Sequence, residues 1–261
     1  MTRLHGQGLN VSRAGKPILQ DAGLTAASGD FVAVIGPNGA GKSTLLSLIA
    51  GLTQSDTGEV RLDDRFLGAI PRRELAQRRA YLPQNPRCEW PLPVERLVAL
   101  GLTPNLPPFG DLPPRMKADV AKALAACDLT DRVDQPATTL SGGELARAML
   151  ARALVADPEV LIFDEPLAGL DPRHAYDVAA RLRRLADEGK LVIAAIHDLT
   201  ITARYATRVL VLSHGQVLAD GPTETTLTSD LLRRAFEIEA NVVGRGPGAF
   251  VDIASPAAAR A

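Results

Sequence analysis

Residues 31–44 decide the fold: they read FVAVIGPNGAGKST, five apolar residues followed by a glycine-rich turn and by Lys-Ser-Thr. The apolar run predicts a buried strand, and the residues from Lys42 to about Gly51 have the composition of a helix. The turn fits the pattern G-x-x-x-x-G-K-[ST] between a strand and a helix, which is the context this phosphate-binding motif requires. An incidental glycine-rich turn is the alternative, and the flanking elements disfavour it.

The residues of this turn have distinct expected roles. Its backbone amides turn inward around phosphate groups, and the start of the helix adds positive potential. Lys42 is expected to bridge the terminal phosphates, and the hydroxyl of Ser43 to ligate magnesium. The candidate phosphate-binding residues are Gly36, Pro37, Asn38, Gly39, Ala40, Gly41, Lys42, Ser43 and Thr44.

Two carboxylates follow a second apolar run. Residues 160–163 read VLIF and precede Asp164 and Glu165, so both acids lie at a strand end, where open α/β sheets bind ligands. Asp164 is expected to hold magnesium, mostly through water, and Glu165 to polarise a water that attacks the terminal phosphate. An acidic pair after a strand is often only turn chemistry. The phosphate loop upstream favours the catalytic interpretation.

Residues 140–144 read LSGGE and precede a helical run. The spacing of Ser141 and Glu144 has a structural explanation as a capping box that starts the helix. A serine hydroxyl followed by the amides of Gly142 and Gly143 at a helix start is also an anion site. Local physics leaves both interpretations open, and both can hold at once.

The rest of the chain predicts an α/β core interrupted by a helical lobe. Strands and helices alternate over residues 1–84 and 157–240, which is typical of a parallel sheet. Residues 85–156 form the predicted helical lobe, with helices at 94–100, 116–127 and 142–156, and residues 241–261 form a tail that is expected to fray. An irregular insertion is predicted by the prolines Pro86, Pro91, Pro93, Pro104, Pro107, Pro108, Pro113 and Pro114.

Composition excludes several classes of protein. The chain has 261 residues, 46% of them hydrophobic and 23% charged, as in ordinary globular domains. Its formal net charge of -1 argues against binding nucleic acid by bulk electrostatics. The sequence has only two cysteines, Cys88 and Cys127, far apart and without nearby metal-ligand spacing, which argues against a disulfide framework or a zinc site. We find no secretory signal, and no apolar run approaches the roughly 20 residues of a spanning helix.

The motifs together resemble one family. The phosphate loop, Gln84, LSGGE at 140–144, Asp164-Glu165, Leu170-Asp171 and His197 appear in the order of the ABC ATPase family, over nearly the whole chain. The resemblance implies a P-loop NTPase core with an antiparallel β subdomain and an inserted helical subdomain. It also implies that the protein binds and hydrolyses ATP with Mg²⁺.

The resemblance assigns further roles to single residues. It makes residues 141–144 the signature motif, which contacts ATP on the opposite subunit of a homodimer, or of a heterodimer with a similar ATPase. Gln84 is then a magnesium and nucleotide sensor that also acts in catalysis. His197 is matched to a histidine that contacts the terminal phosphate, although a lone histidine at a strand end is usually structural. Asp171 adds a contact across the dimer, beside its plain role as a helix cap.

The residues of this sequence that would contact adenine match the family pattern less well than the other motifs do. The position where the family usually stacks an aromatic residue on adenine aligns best with Arg13, whose guanidinium can also stack. An exposed arginine without contact to the base is the alternative interpretation at this position.

The resemblance also suggests a partner and a cargo. The chain looks similar to the ATPases of importers for iron-siderophore complexes, haem and vitamin B12. It would then lie on the cytoplasmic face of the inner membrane, bound to an integral permease and served indirectly by a substrate-binding protein. The alternatives are an ATPase of another importer or exporter class, a soluble ABC ATPase that acts on ribosomes or DNA, and a degenerate regulator without turnover.

Overall fold

The computed structural model describes residues 1–106 and 112–256. Pro107 and Pro108 of the predicted insertion, and residues 257–261 of the predicted tail, lie outside the described residues. In chain order the strands are β1 (Arg3–Arg13), β2 (Lys16–Ala27), β3 (Phe31–Ile35), β4 (Thr57–Leu62), β5 (Arg65–Phe66), β6 (Arg79–Leu82), β7 (Val160–Asp164), β8 (Leu191–Ala195), β9 (Arg208–Ser213), β10 (Gln216–Pro222), β11 (Ile238–Val243) and β12 (Phe250–Pro256).

The helices fall mainly where the sequence predicts them. The predicted helices at 94–100, 116–127 and 142–156 are confirmed to within two residues at each end. In chain order the α-helices are α1 (Lys42–Ile49), α2 (Arg72–Arg78), α3 (Val94–Ala99), α4 (Pro114–Ala126), α5 (Gly142–Leu154), α6 (Pro172–Asp187), α7 (Leu199–Tyr205), α8 (Thr223–Thr226) and α9 (Ser229–Phe236).

A six-stranded sheet forms the centre of the fold, in the spatial order β10-β9-β3-β8-β7-β6. Strands β9, β3, β8, β7 and β6 are parallel, and β10 pairs with β9 in the antiparallel sense. The segments that follow β3, β6, β7 and β8 therefore leave the sheet at one edge. This common edge is where the sequence places its candidate catalytic residues.

The central strands are apolar on both faces because both faces are covered. In β3, Phe31, Ala33 and Ile35 pack in one hydrophobic layer with the helices of the segment 94–155 and with α6. Val32 and Val34 point into a second layer with α1 and a four-stranded antiparallel sheet, ordered β2-β1-β4-β5. A strand buried on both faces needs continuous rather than alternating hydrophobicity, which residues 31–35 have. The predicted α/β fold with an antiparallel β subdomain is confirmed.

The C-terminal region differs from its prediction. The tail that the sequence predicts to fray forms an antiparallel hairpin of β11 and β12, so the prediction was wrong for residues 241–256. The predicted boundary after residue 240 falls inside β11. The backbone N–H of Val251 donates to Thr200 Oγ1 at 3.1 Å, and Arg204 Nε donates to the carbonyl of Ala249 at 2.6 Å. Both contacts attach the hairpin to α7. The division of the rest of the chain into core and helical lobe stays a prediction.

Gly101 allows the insertion to pack against α5. A Cβ atom at this position would lie 2.0 Å from the carbonyl oxygen of Arg152 and 2.6 Å from Val155 Cγ1. The first of these atoms is backbone and cannot rotate away, so any side chain would push the segment 100–105 off the helix.

We expect Gly101→Ala to lower the free energy of unfolding by about 2 kcal/mol, as overpacking does. Urea denaturation of the full chain measures this. Gly68→Ala is the matched control, because nothing lies within 4 Å of the added atom. Equal stability of the two variants would contradict the packing argument.

Candidate active site

The phosphate loop is held against β2 at the start of α1. Gly41 is the N-cap of α1 and has φ of 101°, a conformation that favours glycine. A Cβ atom there would also meet Leu19 Cδ2 at 2.7 Å and the carbonyl oxygen of Ile18 at 2.9 Å. Gly41 therefore lets the loop lie directly on the antiparallel sheet.

Lys42 is buried inside this loop. Its side chain is only 6% exposed, and Nζ donates to the carbonyl oxygens of Gly36 at 2.8 Å and Pro37 at 3.0 Å. Burial lowers the pKa of Lys42, and the nearby carboxylates of Glu165 and Asp164 oppose that shift. The ammonium group thus has only neutral acceptors as direct partners in the loop, which an anionic phosphate could replace.

Asp164, at the end of β7, is a buried carboxylate with an unsatisfied oxygen. It is 3% exposed, and Oδ1 has no hydrogen-bond partner among the described residues. Burial is the main cause that raises the pKa of Asp164, and the charge of Glu165 adds to it; the Ser43 hydrogen bond and Lys42 act in the opposite direction. A buried oxygen without a donor is costly, and a bound cation would relieve it.

Glu165 and His197 are in direct contact at the edge of the sheet. His197 Nε2 lies 2.7 Å from Glu165 Oε1, and their side chains are 47% and 14% exposed. Glu165 has φ of 56°, the left-handed conformation that is strained for a residue with a side chain. This backbone turn follows β7 directly, and the contact joins the ends of β7 and β8.

The candidate residues from four strand ends line one cavity of about 720 Å³. It brings Gln84, Glu165 and His197 to the phosphate loop, with Gly36, Pro37 and Asp164 outside the lining. Ile18 belongs to the lining but was missed by the sequence analysis, where it was only one apolar residue in a strand. The full lining is Arg13, Ile18, Asn38, Gly39, Ala40, Gly41, Lys42, Ser43, Thr44, Gln84, Glu165 and His197.

The signature residues lie outside this cavity. The side chain of Ser141 accepts from the backbone N–H of Glu144, and the Glu144 carboxylate accepts from the N–H of Ser141, so the predicted capping box is present. Asp171 caps α6 by accepting from the N–H of His174 at 2.9 Å. Within the described part of the chain, the structural interpretation of both motifs thus holds, and neither motif reaches the phosphate loop of its own chain.

A smaller cavity, of about 230 Å³, is lined by both Gly142 of the signature motif and Glu165. A larger cleft, of about 840 Å³, lies between α4, α5 and α6. Across residues 1–106 and 112–256, no group of three or more His, Cys, Asp or Glu is placed to hold a metal ion. In the same ranges no helix is both long and apolar enough to cross a membrane.

We expect Asp164→Asn to stabilise the nucleotide-free protein. Because burial raises the pKa of Asp164, the folded state binds this proton more tightly than the unfolded chain does. The free energy of unfolding contributed by this group is therefore highest below the ordinary carboxyl pKa and falls as pH rises through the raised pKa. Removing the charge should therefore raise stability at neutral pH, by roughly 1.4 kcal/mol for each unit by which folding raises this pKa.

Urea denaturation at mildly acidic and at neutral pH measures the effect of this variant. The gain should shrink as the pH is lowered, because the wild-type carboxyl group takes up a proton more readily in the folded state. Asp177→Asn, at an exposed position, is the control and should change stability by less than about 0.5 kcal/mol. A loss of stability in Asp164→Asn at neutral pH would show that the charge is well accommodated.

Comparison with known proteins places this site in a family. A family model described as "ABC transporter" matches residues 19–168. A hemin import ATP-binding protein of Rhodococcus jostii (strain RHA1) is 39% identical over 243 residues, covering 92% of this chain and 82% of the relative. That of Bradyrhizobium diazoefficiens is 43% identical over 240 residues, covering 88% and 87%.

A solved structure shows the same fold. It is a dimeric ATP-binding cassette in a post-hydrolysis state with ADP and Pi, 25% identical, with a TM-score of 0.76, covering 84% of this chain and 98% of its own. The family model spans more than half of the chain, and the curated relatives match nearly all of it. The chain therefore belongs to the ABC transporter family, as an ATP-binding cassette that hydrolyses ATP.

Proposed function

We propose that this chain powers the import of haem through an integral membrane permease. Its relatives of similar length are named as hemin import ATP-binding proteins and match 88% to 92% of the chain, which is the observation that carries the proposal. The cassette would act on the cytoplasmic face of the inner membrane, and a substrate-binding protein would deliver cargo to the permease. An iron-siderophore complex or cobalamin is the alternative cargo.

The cavity at the sheet edge is proposed to hold the triphosphate of ATP. Lys42 would exchange its contacts with the Gly36 and Pro37 carbonyls for the terminal phosphates, and the amides of residues 39–44 would cradle the others. Arg13, at the end of β1, and Ile18, near the start of β2, line the same cavity. They are placed to contact the base, with the guanidinium plane of Arg13 in the stacking role.

The residues present fit a magnesium ion. The unpartnered Oδ1 of Asp164 and the hydroxyl of Ser43 are oxygen ligands of the kind that Mg²⁺ prefers, and Gln84 adds an amide oxygen from β6. Mg²⁺ is commonly held by one or two carboxylates together with water and substrate phosphates. When bound, it would supply positive charge to the terminal phosphates of the substrate.

Glu165 and His197 are proposed to position the attacking water. Phosphoryl transfer needs orientation and charge stabilisation more than covalent chemistry from the protein. Glu165, in its left-handed turn, would accept a hydrogen bond from the water and orient it in line with the terminal phosphate. His197, 2.7 Å from Glu165, would hold that carboxylate and contact the phosphate from the β8 side.

A second chain is proposed to complete the site. The cavity of the phosphate loop is not lined by Ser141, Gly142, Gly143, Glu144 or Asp171 of the same chain, and in the proposed dimer these residues meet the nucleotide of the other cassette. Each of the two ATP molecules would lie between the phosphate loop of one cassette and the α5 start of the other. The dimeric cassette with ADP and Pi supports this arrangement, as a homodimer or with a similar ATPase.

We expect Glu165→Gln to bind ATP, to form a stable dimer and to lose at least about 100-fold in turnover, because the water is no longer oriented. Light scattering with ATP and Mg²⁺ measures the dimer, and phosphate release measures turnover. Glu188→Gln, at an exposed position, is the control and should behave as wild type. Turnover equal to wild type in Glu165→Gln would refute the assigned role.

The cargo is tested with the whole transporter. The chain is purified from membranes together with its permease, and the complex is reconstituted in vesicles. ATP-dependent accumulation of haem, absent in the Glu165→Gln complex, is the expected result. If the complex accumulates an iron-siderophore complex or cobalamin in preference to haem, that compound is the cargo instead. Recovery of the chain without any permease would favour a soluble ABC ATPase.

A further inference from the structure

The hydroxyl and the amide of Ser141 both bind a carboxylate of their own chain. The Ser141 N–H donates to Glu144 Oε2 at 2.9 Å, and the Ser141 hydroxyl donates to the same oxygen at 2.8 Å. The backbone N–H of Glu144 donates back to Ser141 Oγ at 3.3 Å. Two of the donors that would meet a phosphate at this helix start, the hydroxyl and the amide of Ser141, are therefore already used.

The competing carboxylate carries a negative charge at the proposed nucleotide interface. The hydrogen bonds from Ser141 are the largest cause that lowers the pKa of Glu144, and the charge of Arg132 adds to them. An ionised glutamate beside the proposed binding site of a triphosphate would repel the triphosphate. A neutral amide could form the same capping box without this repulsion.

Arg132 is placed to offset that charge. Its Nε lies 3.2 Å from Glu144 Oε1, so one carboxylate oxygen faces Arg132 and the other faces Ser141. No second cation lies within ion-pairing distance of Glu144 in the described ranges. The contact spans twelve residues of sequence and joins the segment before α5 to its first turn.

The backbone around Arg132 is fixed rather than loose. Glu95 N–H donates to the carbonyl of Val133 at 3.0 Å, and Ala137 N–H donates to that of Leu92 at 2.8 Å. Pro93 and Pro136 form a β-bridge between the same two segments. The start of α3 thus holds the segment that carries Arg132, and the guanidinium group meets Glu144 from a defined side.

We propose that Arg132 is a positioning residue for ATP-driven dimer closure. By holding Glu144 Oε1 and neutralising its charge, it lets the Ser141 hydroxyl and amide turn from the carboxylate to an incoming phosphate of the partner's ATP. Without Arg132, the carboxylate keeps both donors and repels the nucleotide. This inference rests on the proposed function, in which residues 141–144 meet ATP across the interface.

Dimerisation of the full chain in the Glu165→Gln background tests the proposal, because hydrolysis does not then reset the dimer. Adding Arg132→Ala should raise the ATP concentration for half-maximal dimer about tenfold at low salt, and less at about 0.5 M salt, where charges are screened. Arg132→Lys should restore most of the loss. Arg233→Ala, which removes a similarly exposed ion pair with Glu239 far from α5, should have no effect.

Glu144→Gln separates charge from structure. It retains a capping box, and in its presence Arg132→Ala should change the ATP requirement less than about twofold. Binding of a fluorescent ATP analogue to the monomer should be the same with and without Arg132. An unchanged ATP requirement in Arg132→Ala, or an equal loss with and without the Glu144 charge, would overturn the proposal.

One further outcome would contradict the proposed function itself. If the Glu165→Gln protein, with Arg132 intact, binds ATP but does not dimerise, the composite site is wrong, and the role of Arg132 fails with it. If that protein dimerises and the Arg132 variants behave as it does, only the role of Arg132 fails. Light scattering and analogue binding on the same samples distinguish the two cases.

Discussion

Parallel pairing of β3, β8, β7 and β6 is the constraint on which the site depends. Parallel strands end at one edge of a sheet, so residues far apart in sequence meet there without any further device. Gln84, Glu165 and His197 come from three such ends and line the cavity of the phosphate loop, which follows a fourth. Continuous apolar sequence in β3, β7 and β8 makes this possible, since it buries both faces of these strands and places polar residues at their ends.

The geometry of that edge has an electrostatic cost. Lys42 and Asp164 are almost fully buried, and burial shifts the pKa of each toward its neutral form. The loop carbonyls and the Ser43 hydroxyl offset part of this cost, but one carboxylate oxygen stays without a donor among the described residues. Perturbed pKa values of this kind are common at functional sites. The groups that are costly to bury are those that a nucleotide and its cation would satisfy.

The sequence predicted the core and most of the site because both rest on local patterns. The turn at 36–44 and the carboxylates after β7 follow from strand ends and motif spacing, and α5 and α6 follow from their caps. The hairpin of β11 and β12 was missed because glycine and proline near 244–248 suggested irregular chain, whereas they form its turn. Ile18 and Arg132 were missed for another reason. Each acts through a contact with a distant segment, and no local pattern marks such a contact.

Both proposed halves of the nucleotide site are satisfied internally in the single chain, but by different partners. Lys42 binds neutral carbonyls, whereas Ser141 binds an ionised carboxylate. Replacing a carbonyl by a phosphate strengthens a hydrogen bond from a cation, while replacing a carboxylate by a phosphate exchanges one charged acceptor for another. Under the proposed function, the phosphate loop therefore supplies most of the affinity, and the α5 side adds little net energy. A weak second half allows the dimer to reopen after hydrolysis, which a transport cycle requires.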